Sequence, residues 1–159
     1  MLDLIFAIKF VHLLAVTVMF GSWLGLAAFM LLAHRSGNTS VVAVTSQFVV
    51  KLELTAVAAA IVLQPISGFP LAYAIGLSPL DEFWIVISSV LYVLIVACWV
   101  AAMWIETRIR DMTRDAALAS QPLAAGYRRL FRIWAALACA ILAGMLVIFA
   151  FMIWQPRLD

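Results

Sequence analysis

Charge is scarce in this chain: Asp, Glu, Lys and Arg make up only 11% of residues, against about 25% in a typical soluble domain. Histidine is down to two residues, His12 and His34, and cysteine to two, Cys98 and Cys139, with no CxxC, no CxxCH and no Cys/His cluster. Metal-finger chemistry and c-type haem attachment are therefore not indicated. Both cysteines fall in apolar runs and read as small packing residues, with no disulfide implied. A phosphate-cradling glycine loop, an HExxH, a nucleophile motif and a paired intramembrane carboxylate are all missing, so the sequence commits to no reaction.

What the chain does have is apolar length. Hydrophobic residues make up 67% of it, against roughly 45–50% in soluble proteins. The runs are apolar all round instead of along one stripe, which is favourable only when lipid is the solvent. Four spans are expected, at about 4–33, 50–75, 83–105 and 130–154, in one domain covering 1–159. His34-Arg35-Ser36-Gly37-Asn38 breaks the first from the second, with Thr39 or Ser40 as cap. The second helix begins near Ser40, so its polar first turns project beyond the hydrocarbon, leaving Lys51 and Glu53 near the interface. Gln64-Pro65-Ile66-Ser67-Gly68 predicts a kink in its far half. Gly76 to Glu82 is the next turn. The third helix starts at Phe83 and continues past Ile105 as a solvated extension to Asp115, ending at Ser120-Gln121-Pro122, and the fourth begins around Tyr127. Short connections make neighbours antiparallel, which gives an all-α, integral membrane four-helix bundle. Met1-Leu2-Asp3-Leu4 lacks the basic start of a signal peptide, so the first span is expected to remain in the mature protein.

The ten Lys and Arg against eight Asp and Glu give a net charge of +2, and most of the basic residues flank apolar spans. They read as topology signals and imply no nucleic-acid partner. Arg35, Lys51, Arg108, Arg110, Arg114, Arg128, Arg129 and Arg132 share one side, and Lys9 and Arg157 the other, which puts both termini outside the cytoplasm. Trp84 with Trp154, and Trp104 with Trp134, then form two interfacial belts. Glu106, Asp111 and Asp115 interleave with Arg108, Arg110 and Arg114 at spacings that favour ion pairs along a solvated helix. With the Tyr127–Arg132 segment, this cluster also suits anionic lipid headgroups.

His12 stands out, because an ionisable group two turns inside an apolar helix is costly and faces protein or water. Lys9, His12, Val16, Met19 and Trp23 share the face expected to point inward. Counted from the helix ends, Gln64, Tyr92 and Met145 lie at the depth of His12. One reading has a neutral imidazole donating to Gln64 or Tyr92 as an ordinary core residue. Another makes His12 an axial ligand of haem b or a copper ligand with Met19, Met145 or Met152. Gly21 and Gly25 form a GxxxG, which serves packing inside the bundle or a homodimer.

Lys9 to Leu14, Phe20 to Gly25, Leu63 to Gly68, Leu91-Tyr92 to Trp99, Arg108 to Met112, Tyr127 to Arg132 and Trp154-Gln155-Pro156 together resemble a bacterial inner-membrane family, domain of unknown function 2269. The resemblance covers nearly the whole chain and implies a multi-pass inner-membrane location. It extends distantly to the CopD copper-resistance proteins and the HemJ-type protoporphyrinogen oxidases, in which an early-helix histidine is a proposed haem ligand; His12 is the matching position. HemJ proteins also use a third-helix lysine after a tryptophan, whereas Trp84 here is followed by Ile85-Val86-Ile87-Ser88-Ser89, which argues against protoporphyrinogen oxidation. Three functions follow as expectations. The first is a redox or haem-related protein with haem b on His12, Gln64 or Tyr92 supporting and Met145 opposite. The second is a copper or small-molecule transport or binding component, and the third an assembly partner without chemistry.

Overall fold

In a computed structural model, residues 2–156 are described and fold into four long helices: α1 (Leu2–Ser36), α2 (Thr39–Ala74), α3 (Phe83–Leu118) and α4 (Ala125–Trp154). All four are long and apolar enough to cross a membrane. Arg157, one of the two basic residues expected beside the termini, lies outside the described residues. The ends of the helices follow from local chemistry. Gly37 takes φ +64, a left-handed conformation that suits glycine and closes α1. Asn38, and not Thr39 or Ser40, caps α2: its side-chain oxygen accepts from the backbone N–H of Ser40 at 2.9 Å and of Val41 at 3.3 Å. Left-handed residues also follow α3, at Ser120, and α4, at Gln155 just before Pro156.

The connections are short, so successive helices run antiparallel. One end of the bundle carries the start of α1 and the end of α4; the other carries Arg35, Arg128 and Arg129. They are called the terminal and the basic end below. α1 packs on α2 and α4, and α3 packs on both as well, which closes the ring. The buried stripe of α1, Ala15, Met19, Trp23, Leu26, Met30 and Ala33, recurs at three and four residues, as a helix facing a core requires. Lys9 is exposed and lies off that stripe. Many large apolar side chains point outward, Phe6, Phe10, Phe29, Phe48 and Val93 among them, as a surface in contact with lipid demands.

α2 is not uniform. Its ladder widens to a π turn over Glu53–Val57, where the Ala58 N–H bonds back to the Glu53 carbonyl. The Thr55 hydroxyl donates to the Lys51 carbonyl at 2.8 Å inside the same irregular stretch. Before the turn α2 packs mainly on α3; after it, mainly on α1. The helix then runs without a break through Pro65 and Pro70. Pro65 has no N–H, so the Ile61 carbonyl four residues earlier loses its helical donor. Tyr92 of α3 supplies the replacement, its hydroxyl donating to that carbonyl at 2.5 Å.

Close approach of helices rests on glycines other than the GxxxG. A Cβ on Gly144 of α4 would stand 2.9 Å from Cδ1 of Ile95 on α3, so glycine sets that spacing. Gly21 and Gly25 have nothing within 4 Å of where a Cβ would be, and they mediate no contact inside the bundle. Cys98 and Cys139 are both free thiols.

Candidate functional site

In the terminal half, the His12 ring of α1 packs on α2. A Cβ on Gly68 would lie 3.1 Å from its Cε1, so the imidazole rests against the helix backbone. Its Nδ1 is 2.9 Å from Ser67 Oγ, and that hydroxyl is 2.6 Å from the Leu63 carbonyl. A hydroxyl has one proton, which goes to the carbonyl; Nδ1–H therefore donates to Ser67, leaving Nε2 with the lone pair. Gln64 donates to the backbone carbonyl of His12 at 3.5 Å, and Tyr92 is committed to Ile61. The expected partnership of the imidazole with Gln64 or Tyr92 is thus replaced by Ser67, one helical turn beyond Gln64. Sequence depth alone could not distinguish three polar residues that sit at nearly one level.

Gln64, Tyr92 and Met145 do come together. With Val16, Met19 and Met152 they border a cavity of ≈ 30 Å³ lined by residues of all four helices. Ser88, one turn before Tyr92 on α3, holds a buried hydroxyl oxygen without a partner. His12 does not border this cavity. Room of that size suits one atom-sized guest or a water, far short of a porphyrin. The His12 tautomer is one that could ligate a metal through Nε2, but the ring faces Ser67 and Gly68.

The basic half holds a constellation that spacing on the flanks obscured. Glu53 of α2 and Glu106 of α3 are each 2% exposed. The indole N–H of Trp99 donates to Glu53 Oε2 at 2.6 Å, and that of Trp134 to Glu106 Oε1 at 2.6 Å. Trp23 of α1 lies beside the Glu53 carboxyl, and Glu106 is within electrostatic reach of Glu53. Among the described residues the one ion pair is Arg110 to Asp111, 2.8 Å apart on the surface, so neither carboxyl has a cationic partner. Glu106 Oε2 is buried with no hydrogen bond at all.

Four expectations need correction here. Glu53, expected to project near the interface, turns its side chain into the core at the π turn. Glu106 is not part of the solvated ion-pair ladder; it lies on the inward phase of α3 with Ala102, Ile109 and Thr113. Trp134, expected in a headgroup belt, is buried against Glu106, whereas Trp104 and Trp154 are exposed. Two carboxyls from different helices, which the motif reading did not bring together, are both buried inside the bundle. The signal available was helical phase: Val49, Glu53, Val57, Ala60, Gln64 and Ser67 form one stripe at three- and four-residue steps.

Burial makes the pair significant. Both carboxyls are enclosed by protein and out of contact with water. A charge near a helix centre costs about 2.5–3.5 kcal/mol on insertion scales. One interhelical hydrogen bond returns about 0.6 kcal/mol and at most about 1.7. Two indole bonds therefore do not offset two ionised carboxylates.

Nearer the basic end, His34 stacks on Phe131 with ring centroids 3.8 Å apart and 12° between planes, and Nδ1 meets the Tyr127 hydroxyl at 3.0 Å. Tyr127 is itself buried, so from the Tyr127–Arg132 segment it is Arg128, Arg129 and Arg132 that face outward. Arg108 covers the ring of the exposed Trp104 at 5.2 Å. Among the described residues no group of three or more His, Cys, Asp or Glu is placed to hold a metal ion.

The chain belongs to the family described as predicted integral membrane protein, DUF2269, whose model matches residues 6–156. No curated protein and no solved structure matches it.

Proposed function

We propose that this protein is a membrane-embedded binding or transport component for a small cation, and that its ligand in the terminal half is a soft metal ion, copper(I) by donor type. The observation that supports this reading is the cavity of ≈ 30 Å³ bordered by Met19, Met145 and Met152 together with Gln64 and Tyr92. Thioethers favour copper(I) over harder ions, and an amide oxygen and a phenol are compatible with a site that must also release its guest. His12 sits one layer outside this cavity, joined to it through Gln64. Its backbone carbonyl accepts from Gln64, and its imidazole, bonded to Ser67, is not itself the metal ligand on this reading.

The redox reading, with haem b on His12, has the distant CopD and HemJ resemblance in its favour; the small size of the methionine-lined cavity, which His12 does not border, favours the cation. On the cation reading the arginine-rich end faces the cytoplasm of a bacterial inner membrane and the termini face the periplasm, following the positive-inside rule. Gly21 and Gly25, unused inside the bundle, form the face on which two copies would meet.

The test is a titration of the apoprotein in nanodiscs with copper(I) against a chromogenic chelator under anaerobic conditions, beside a visible spectrum and metal analysis of the protein as purified. We expect one equivalent of copper(I) withheld from the chelator, and none withheld by the Met19→Leu, Met145→Leu, Met152→Leu triple variant, whose side chains nearly conserve volume. A Soret band in the purified protein that disappears in His12→Ala would overturn this reading in favour of haem.

A further inference from the structure

We propose that Glu53 and Glu106 form a second, independent site in the basic half, one that binds a single hard monovalent cation, the proton or an alkali ion, between two carboxyl groups. Three features of the geometry converge on it. The carboxyls come from different helices and are within electrostatic reach of each other. Both are almost wholly buried, and Glu106 Oε2 has no partner, so one strong acceptor in the interior is left for a ligand. The groups around them are donors without charge: Trp23 from α1, Trp99 from α3 and Trp134 from α4. Of the ionisable residues nearest in sequence, Lys51 is exposed and Arg110 is engaged by Asp111. Two indole N–H groups each occupy one oxygen of a carboxyl and fix its rotation, which makes Trp99 and Trp134 positioning residues. Glu106 Oε2 is the oxygen left free to share a proton or an ion.

Local structure fits the role. A π turn begins at Glu53, and such turns shift the phase of a helix by one residue, here keeping Glu53 on the inward stripe between Val49 and Val57. It is also the point at which α2 changes its main neighbour from α3 to α1. The pair therefore stands where α1, α2 and α3 meet. An alkali ion bound there is balanced by one ionised carboxylate with the second carboxyl protonated, whereas a single proton is shared between the two and leaves the pair with one negative charge. This site does not depend on the cavity bordered by the methionines, and copper binding has no part in its test.

Difference infrared spectroscopy of the protein in nanodiscs reads it directly, because a protonated carboxyl has a C=O stretch separate from that of a carboxylate. Two series are needed: pH steps with N-methylglucamine as the only other cation, and additions of sodium or potassium at fixed pH. We expect a buried-acid band in the wild type that changes in frequency and in its response in both Glu53→Gln and Glu106→Gln, and that is missing from the variant carrying both changes. A band that responds to pH and not to sodium or potassium makes the proton the ligand; one that fades on adding either ion at constant pH makes it an alkali cation. Trp134→Phe keeps both carboxyls and should move the band without removing it, which separates loss of the pair from loss of fold. The proposal is overturned by a wild type without such a band under every condition, by a band that is the same in both Gln variants as in the wild type, or by one that persists when both residues are Gln.

Discussion

The two halves of this bundle solve the problem of polar atoms in lipid in opposite ways. The terminal half disperses them: Ser67, Gln64 and Tyr92 each take a backbone carbonyl, His12 leans on α2, and a small cavity is left among thioethers. The basic half concentrates them, with two carboxyls held by two indoles in a packed interior and one oxygen left bare. Neutral polar groups are inexpensive in a membrane helix because the helix itself supplies acceptors. Carboxyl groups cannot be treated that way, since backbone carbonyls only repel them when ionised. Indole donors from neighbouring helices are the available answer, and they tie the helices together. The first arrangement leaves room for a guest, whereas the second demands one.

The largest expected effect lies in the basic half. Trp134→Ala removes a buried ring and the only donor to Glu106. Transfer to lipid contributes little here, so the void dominates and the loss falls at the lower end of the usual aromatic-to-alanine range, about 3 kcal/mol. Met145→Leu, on the same helix in the terminal half, should cost under about 1.5 kcal/mol, because volume is nearly conserved beside a space already empty. Reversible unfolding in mixed micelles measures both. Equal losses would erase the contrast between a packed half and an open one.

Next comes the seam between α3 and α4. Gly144→Val drives a side chain into Ile95, with the first added carbon already 2.9 Å from its Cδ1. Overpacking of this kind costs about 1–3 kcal/mol. Ile95→Ala in the same chain should recover part of it, and a double-mutant cycle gives the coupling. Additive losses would mean that this glycine does not set the spacing.

Ser67→Ala should have a smaller effect. It leaves the His12 Nδ1–H without its acceptor, and interhelical hydrogen bonds in membranes average about 0.6 kcal/mol, rising to about 1.7. Nitrogen NMR of the imidazole checks the structural half of the statement: the proton should leave Nδ1 or redistribute between the two ring nitrogens. An unchanged spectrum would show that Ser67 does not select the tautomer.

The four spans, their turns and their antiparallel order are legible because lipid forces long apolar runs, and Gly37, Asn38 and Pro122 punctuate them openly. The shared depth of Gln64, Tyr92 and Met145 is legible for the same reason, since straight helices convert residue number into height. Two things are not. Partner choice within a layer depends on rotation about the helix axis, so His12 went to Ser67 and Tyr92 to the carbonyl released by Pro65. Glu53 and Glu106 were hidden by their neighbours: each stands within a few residues of a basic side chain, which resembles a solvated flank until the three- and four-residue stripe is followed through it. Glu53 is harder still, because the π turn changes the phase just at that residue, and no residue type in Glu53–Val57 announces such a turn.

The smallest effect on the bundle is expected from Gly21→Leu combined with Gly25→Leu. Neither glycine has a neighbour within 4 Å of its missing Cβ, so the added side chains enter lipid and monomer stability should change by no more than about 0.5 kcal/mol. Association is another matter, because a GxxxG face lets two backbones approach closely only while both positions stay bare. If two copies meet there, single-molecule photobleaching in liposomes will count pairs in the wild type and single chains in the variant, at unchanged stability. Pairs in both would move the interface elsewhere on the surface. Single chains in both would leave the two glycines as residues that contact only lipid, and the contrast between the two halves would then be a property of one chain acting alone.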